Sequence, residues 1–390
     1  MNKEKIVNSL DKIIENLLYL MIFFIPISKA AIEIIFGLAM LLFFFKKILK
    51  PDLSFFKNFT YILLILFFAF CALSLFNSGV FLAKSMKALL GKWLKYILIF
   101  ILVANTFNDA KRLRKAVRVF IITAALIALD TLFQACIGND FLRGRPLVYG
   151  VVTASFENQN ALAGFLTPLL LLTIAFFLGV PKEKKYKIYI AILAIALAAC
   201  LILTTSRGGW LGFILGLLLM TFLLHKFKVF IPVICIFLMV LVILPGSRER
   251  IAQLFKAGGS SERFALAQSA LDMVRDNPFL GKGLGTFMDY FRQYAYVKGV
   301  YYAHNSYLQI AAEAGIFALV CFLLFLGSIL LKSIKSFSSH HNFILLGLAC
   351  AVCGFSVHAF FDNHLFSLQL AVLFWFLLGL TFSAAQLKEI

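Results

Sequence analysis

Apolar runs of roughly 20 residues, about the length a helix needs to cross a bilayer, recur along almost the whole chain. They fall at about 14–29, 30–49, 59–77, 88–107, 117–136, 161–180, 188–205, 209–225, 228–246, 306–331, 343–361 and 364–386. Of 390 residues, 62% are apolar and 14% charged, whereas soluble domains run at about 45–50% and about 25%. One soluble core could not hide so much apolar surface. A mean hydropathy of +0.95, spread along the chain, also excludes a soluble enzyme with a single anchor. The sequence therefore reads as an all-α polytopic membrane protein, a single transmembrane domain over residues 1–390 with about twelve transmembrane helices. The spans must be helical, because lipid gives backbone groups no partners and the runs lack the alternation of a barrel.

Charge sets the orientation. The chain carries 37 Lys and Arg against 18 Asp and Glu, a net charge of +19. In a membrane protein such an excess mostly fixes topology. If the N-terminus is cytoplasmic, 21 basic residues fall on inner segments, including Lys46, Lys47, Lys50, Lys57, the Lys111–Arg118 cluster, Lys182–Lys187 and Lys388. The short outer connections hold 8, and 8 more lie in a long outer loop at about 247–305, between spans nine and ten. Long loops carry little topological information, so the short-loop contrast decides, and both termini are expected in the cytoplasm. Lys3, Lys5 and Lys12 precede an apolar stretch as in a signal peptide, but the next apolar run follows at once, which points to an uncleaved first helix. The seven cysteines lie mostly inside apolar runs at spacings that suit no metal site, and read as small core residues.

Polar content gathers on the outer side. A middle-sized loop at 137–160 contains FLRGRP, a very short turn reads TTSRGGW, and the long loop holds the amphipathic stretch SSERFALAQSALDMVRDNP. In the last, Ser261 is a plausible N-cap, and Phe264, Leu266, Leu271 and Val274 can share an apolar face. Arg207 sits where two spans meet, between Ser206 and the pair Gly208–Gly209. Small neighbours allow close helix approach, and an arginine at that depth is costly unless it meets an anion; the alternative is snorkelling from a helix end. His304, beside Asn305 and Ser306, is either a general base or an interfacial histidine with a solvated tip. Arg263, beside Glu262, taken alone reads as solvated helix surface, and Arg143 with Arg145 is either a phosphate-binding pair or plain loop charge. GKGLGTF at 281–287 lacks a preceding strand and reads as a tight turn, not a nucleotide loop. His358, Asp362 and His364, in HAFFDNH, imitate a metal cluster but read as a polar turn between the last two spans. Asp130 and Glu313 fall inside spans, where each has either a function or a bond to a neighbouring helix.

Four ordered outer-side motifs resemble those of the O-antigen ligase and O-antigen polymerase superfamily of bacterial lipid-linked glycan transferases. They are ENQNALAGF at 157–165, SRGGW with Arg207, SERFALAQSALDMVRDNPFLGKGLGTF led by Arg263, and AHNSYLQIAAEAG from His304 to Gly315. The resemblance covers roughly residues 140–330 by motif; Gln159 departs from it, standing where proline is common. It implies a GT-C-like membrane glycosyltransferase of the O-antigen ligase type, whose long loop is periplasmic and carries short helices. Such an enzyme moves a glycan from undecaprenyl pyrophosphate to a lipid A-core sugar hydroxyl at the periplasmic face of the inner membrane. By the same resemblance, His304 is the base, Arg207 and Arg263 hold the pyrophosphate without metal or cofactor, and Arg143, Arg145, Asn158, Asn160 and Asn305 are candidates for substrate binding.

The physical logic agrees. A pyrophosphate leaving group gains negative charge as the glycosidic bond breaks, which bidentate arginines stabilise, and a sugar hydroxyl needs a base. The expected partners are thus the lipid-linked glycan, a lipid A-core acceptor and membrane lipid, with no nucleic acid. A repeat-unit polymerase would use the same donor with a second lipid-linked glycan as acceptor, and a protein-directed oligosaccharyltransferase a protein. A secondary transporter would instead show broken helices, internal repeats and mid-membrane ionisable groups.

Overall fold

The computed structural model describes residues 3–51, 58–181, 185–255, 261–296 and 302–387; Lys57, Lys182, Lys184 and Lys388 of the charge count, and the side chains of Ser261 and Glu262, lie outside what is described. Among the described residues there is no strand, only two isolated bridges that shape the loop at 138–158. Each of the twelve apolar runs is helical over most of its length.

The chain opens with a hairpin of α1 (Lys3–Phe24) and α2 (Lys29–Leu49). Next comes α3 (Phe59–Leu73), capped by Asn58, whose side chain accepts from Thr60 N at 3.0 Å. A path of α4 (Leu82–Ala88), a π-helical turn at Leu89–Trp93 and α5 (Leu94–Thr106) leads to α6 (Ala110–Ile137). Asp109 caps α6 and Gly138, at φ +95°, ends it. Beyond the 138–158 loop come α7 (Gln159–Gly179), α8 (Lys187–Leu203), α9 (Arg207–Leu224) and α10 (Phe227–Ile243). Pro245 then starts α11 (Pro245–Phe255) at an 89° bend from α10. Two helices, α12 (Ser261–Asp276) and α13 (Phe287–Tyr294), occupy the long loop, followed by α14 (Ser306–His340), α15 (Phe343–Ala359) and α16 (Leu368–Ala384).

Among the described residues, six spans by length and apolarity can cross a membrane: Phe59–Asn77, Gly79–Thr106, α6, α7, α9 and α14; the bent α10–α11 pair makes a seventh. The chain is a multi-pass membrane protein. The helices α8, α15 and α16 are apolar but 17 residues long, or about 25 Å at 1.5 Å per residue. The hairpin α1–α2 is long enough but interrupted by charge, as at Lys29, Glu33, Lys46 and Lys47 in α2.

Glycines set the packing at the centre. The helix α15 lies against both α7 and α9. A Cβ on Gly212 would sit 2.5 Å from Gly354 O, and one on Gly216 2.3 Å from a Leu171 methyl. These contacts are shorter than any real side chain allows, so only hydrogen lets the three helices meet. The helix α16 is apolar all round and buried throughout, as a central helix should be.

The long loop packs onto the first half of α14. On α12 the buried face is Leu266, Ala270, Met273 and Val274, against Phe287, Phe291 and Ala312. The sequence grouping of Phe264 and Leu271 with that face is corrected: both are exposed, because the buried stripe follows positions 266, 270, 273 and 274. The glycine-rich segment at 281–285 is a turn, docked on a break in α14. There Gly315 has φ +89°, and Lys282 N and Gly283 N donate to Ala312 O and Glu313 O at 2.9 Å each. A Cβ on Gly315 would lie 2.1 Å from Phe279 O. Glu313 accepts from Gly285 N at 2.7 Å and Gln309 Nε2 at 3.0 Å, so it bonds a neighbouring segment. Asp130 likewise accepts from Phe141 N at 2.9 Å and Leu142 N at 3.3 Å. All seven cysteines are free, and Cys71, Cys200, Cys321 and Cys350 are buried.

Candidate functional site

Arg207 is the first residue of α9, after Ser206, whose hydroxyl caps the helix by accepting from Gly209 N at 3.4 Å. The closeness of α9 to α15 is fixed at this point too, since a Cβ on Gly208 would meet His358 Cδ2 at 2.7 Å. The guanidinium is thereby presented at the very start of α9, where its Nη1 is buried with no hydrogen-bond partner among the described residues. A buried charged donor left unpaired is costly. Its surroundings are more cationic still. Arg263 from α12 and Arg250 from α11 share a narrow throat with it, together with Asn160 and His358, close enough to repel Arg207 electrostatically. Arg263 Nη1 donates to Phe361 O at 3.4 Å. Among the described residues none of the three arginines has a carboxylate partner. Three unneutralised guanidinium groups in one place make an anion site.

The throat opens into a cavity of about 700 Å³ that Arg207, Arg263, His304 and Asn305 line together. Its remaining walls are mostly apolar, with Trp210, Leu211 and Ile214 from α9, Leu238 and Leu241 from α10, and Phe264 from α12. A charged head meets a greasy chamber.

His304 is held from two sides. Asn305 caps α14, accepting from Tyr307 N and Leu308 N at 3.0 Å each. Ser306 Oγ donates to Asp362 O at 2.9 Å and accepts from Leu365 N at 3.3 Å, which ties the start of α14 to the α15–α16 connection. His304 itself sits at φ +47°, a left-handed conformation costing roughly 1–2 kcal/mol for a residue with a Cβ. Its Nδ1 lies 3.2 Å from Asp362 Oδ1. Burial alone would raise the Asp362 carboxyl, but the hydrogen bond to His304 and the nearby imidazoles outweigh it and hold the group well below the usual carboxylate range. An ionised carboxylate on Nδ1 fixes the tautomer with its free lone pair on Nε2, the arrangement of an oriented base.

Of the residues singled out in the sequence, Arg207, Arg263, His304 and Asn305 meet on one cavity, and Asn160 lines the adjoining throat, accepting from Ser206 Oγ at 2.9 Å. Asn158 and Asn305 have helix-capping work, Asn158 accepting from Ala161 N at 2.9 Å. Arg143 and Arg145 line neither space. Their backbone N–H groups close a turn on the Asp140 carboxylate at 2.6 Å each. Their charges lie toward Glu157, which accepts from Lys29 at 2.5 Å and is held below its usual range mainly by that bond. Two contributors escape sequence reading. Arg250 reaches the throat only because of the bend at Pro245, and Asp362 reaches His304 only across the α14–α15 hairpin. The segment read as a polar turn is part of the site: His358 lies 3.4 Å from Ser206 Oγ, and its ring meets that of His364 edge to face, 4.1 Å between centroids. Asp362 turns to His304, and among the described residues no three His, Cys, Asp or Glu side chains converge as metal ligands.

Residues 192–323 fit the family described as O-antigen ligase, about a third of the chain. No curated protein matches. The matched stretch carries Arg207, Arg250, Arg263 and His304, and so nearly all of the cationic cavity. Over that stretch the chain is similar to the O-antigen ligase superfamily, which supports a glycosyltransferase-like enzyme of the O-antigen ligase or polymerase type.

Proposed function

We propose that the protein is an O-antigen ligase, moving a glycan from undecaprenyl pyrophosphate to a sugar hydroxyl of lipid A-core at the periplasmic face of the inner membrane. One observation carries the reading: an unpartnered Arg207 guanidinium, a second arginine and an oriented histidine face a single cavity whose other walls are apolar. The polyprenyl chain lies along Trp210, Leu211, Ile214, Leu238 and Leu241, and the pyrophosphate meets Arg207 and Arg263, with Arg250 adding charge from the throat.

In the transfer step His304 Nε2 takes the acceptor hydroxyl proton as that oxygen bonds to the anomeric carbon. The bond from that carbon to the pyrophosphate oxygen breaks on the opposite side, and its electron pair leaves with the pyrophosphate, inverting the centre. The arginines stabilise the charge that develops there, a role often given to a metal ion. Asp362 stabilises the imidazolium that forms. Arg143 and Arg145, on the neighbouring loop, are assigned the outlying glycan, with Asn160 nearer the throat.

The test is direct. Purified protein is incubated in EDTA with a lipid-linked glycan, with and without lipid A-core, and the products are resolved on a gel. Glycan joined to lipid A-core is expected. Chain extension without lipid A-core would make the protein a repeat-unit polymerase, and a need for added divalent ion would refute the arginine assignment.

A further inference from the structure

The helices that carry the cavity have a second basic site at their other ends. Arg114 and Arg118, one turn apart on α6, meet His340, His341 and Asn342 at the α14–α15 corner around a cavity of about 420 Å³. One wall is apolar, formed by Phe176 of α7 and Phe343 of α15, and among the described residues no acidic side chain lines it. Along α7 this is roughly 30 Å from Asn160 at 1.5 Å per residue, about one bilayer core.

Ordinary topological charge would not need such a cavity. Two cations at this end are paired with carboxylates: Arg112 with Asp109 at 2.9 Å and Glu15 at 3.3 Å, and Lys46 with Asp11. Arg114 and Arg118 have no such partner among the described residues. Asn342 uses its Oδ1 to cap α15, accepting from Ile344 N at 2.9 Å and Leu345 N at 3.3 Å. Its Nδ2 is buried and has no hydrogen-bond partner among the described residues. Two free guanidinium groups, an unpartnered amide donor and two imidazoles thus converge beside an aromatic wall, at helix ends where a span leaves the membrane.

We propose that this cavity binds the phosphate of an anionic phospholipid, with the proximal acyl chain along Phe176 and Phe343. Phosphate takes paired N–H donors, and basic pockets between transmembrane helices suit anionic head groups. The apolar wall argues for a lipid over free phosphate.

The full-length protein is purified and titrated with phosphatidylglycerol, bound lipid being counted by native mass spectrometry; parallel arms use phosphatidylcholine and inorganic phosphate. Saturable retention of phosphatidylglycerol over phosphatidylcholine is expected. The double variant Arg114→Gln/Arg118→Gln should weaken it about thirtyfold, at the usual strength of two interfacial cations. Lys12→Gln/Lys111→Gln removes equal charge from the same end without touching the cavity, and should leave it unchanged. Equal loss in both variants, or none in the first, would overturn the site. Displacement of the lipid by inorganic phosphate at matching affinity would assign the cavity to the free anion instead.

Discussion

Replacing Asp362 by Asn isolates the charge behind His304. The carboxamide keeps an oxygen where Oδ1 accepts from His304, at 3.2 Å, and from Asn363 N, at 2.8 Å, so the geometry of the α15–α16 connection is preserved. On the proposed mechanism, what is lost is the negative charge facing the imidazolium that forms during transfer. A hydrogen bond to a charged group is worth about 1.5–3 kcal/mol and a neutral one about 0.5–1.5. The variant therefore loses about 1–2 kcal/mol of transition-state stabilisation, a fall in turnover of about 5- to 30-fold. Asp362 is held below the usual carboxylate range, so in the wild type that charge is present throughout the neutral range. Donor affinity should hold, because the arginines keep the pyrophosphate. The assay is glycan transfer to lipid A-core, with donor binding measured on the same preparation. Wild-type turnover in the variant would remove Asp362 from the catalytic unit.

Arg207→Lys and Arg263→Lys should each fall roughly a hundredfold at normal expression, since a point charge cannot form the planar two-oxygen fork and losing one charged contact costs about 3 kcal/mol; near-normal turnover in both would return them to snorkelling. His304→Ala should lose transfer and retain donor binding, whereas loss of both would make His304 a pyrophosphate ligand. Gly315→Ala should lower stability by about 2–4 kcal/mol, because the new methyl meets Phe279 O at 2.1 Å at a left-handed residue; an unchanged thermal midpoint would contradict the docked turn. Engineered cysteines at Gly150 should be labelled from outside intact cells and those at Lys185 should not, the reverse pattern overturning the orientation.

Residues whose roles are local were legible in the sequence. Hydrophobic runs report helices because burial in lipid acts on each run separately, and Arg207 stood out because an unpaired charge between two spans is costly wherever its neighbours lie. His304 and Arg263 became legible together through ordered motifs, not through any property of either alone. Asp362 shows where such reading stops. Its neighbours make HAFFDNH look like one polar turn, and nothing in that spacing reveals that the carboxylate points across a hairpin to a residue 58 positions earlier. Arg250 is similar: its arrival at the throat depends on the direction in which the chain leaves Pro245, a property of a bend. Asn158 and Asn305 illustrate the reverse case, in which a residue type suited to binding sugars is engaged in closing a helix.

The span of that histidine–carboxylate contact also bears on how the protein is made. Chains emerge from the ribosome N-terminus first, so Arg207 and Arg263 are in place before α14 is complete, and Asp362 follows only when α15 has been threaded. The docked glycine turn waits as well, because its acceptors, Ala312 O and Glu313 O, belong to α14. The cations of the cavity are therefore made before the imidazole has the carboxylate that fixes its tautomer, and the cavity closes last, from the C-terminal end of the chain.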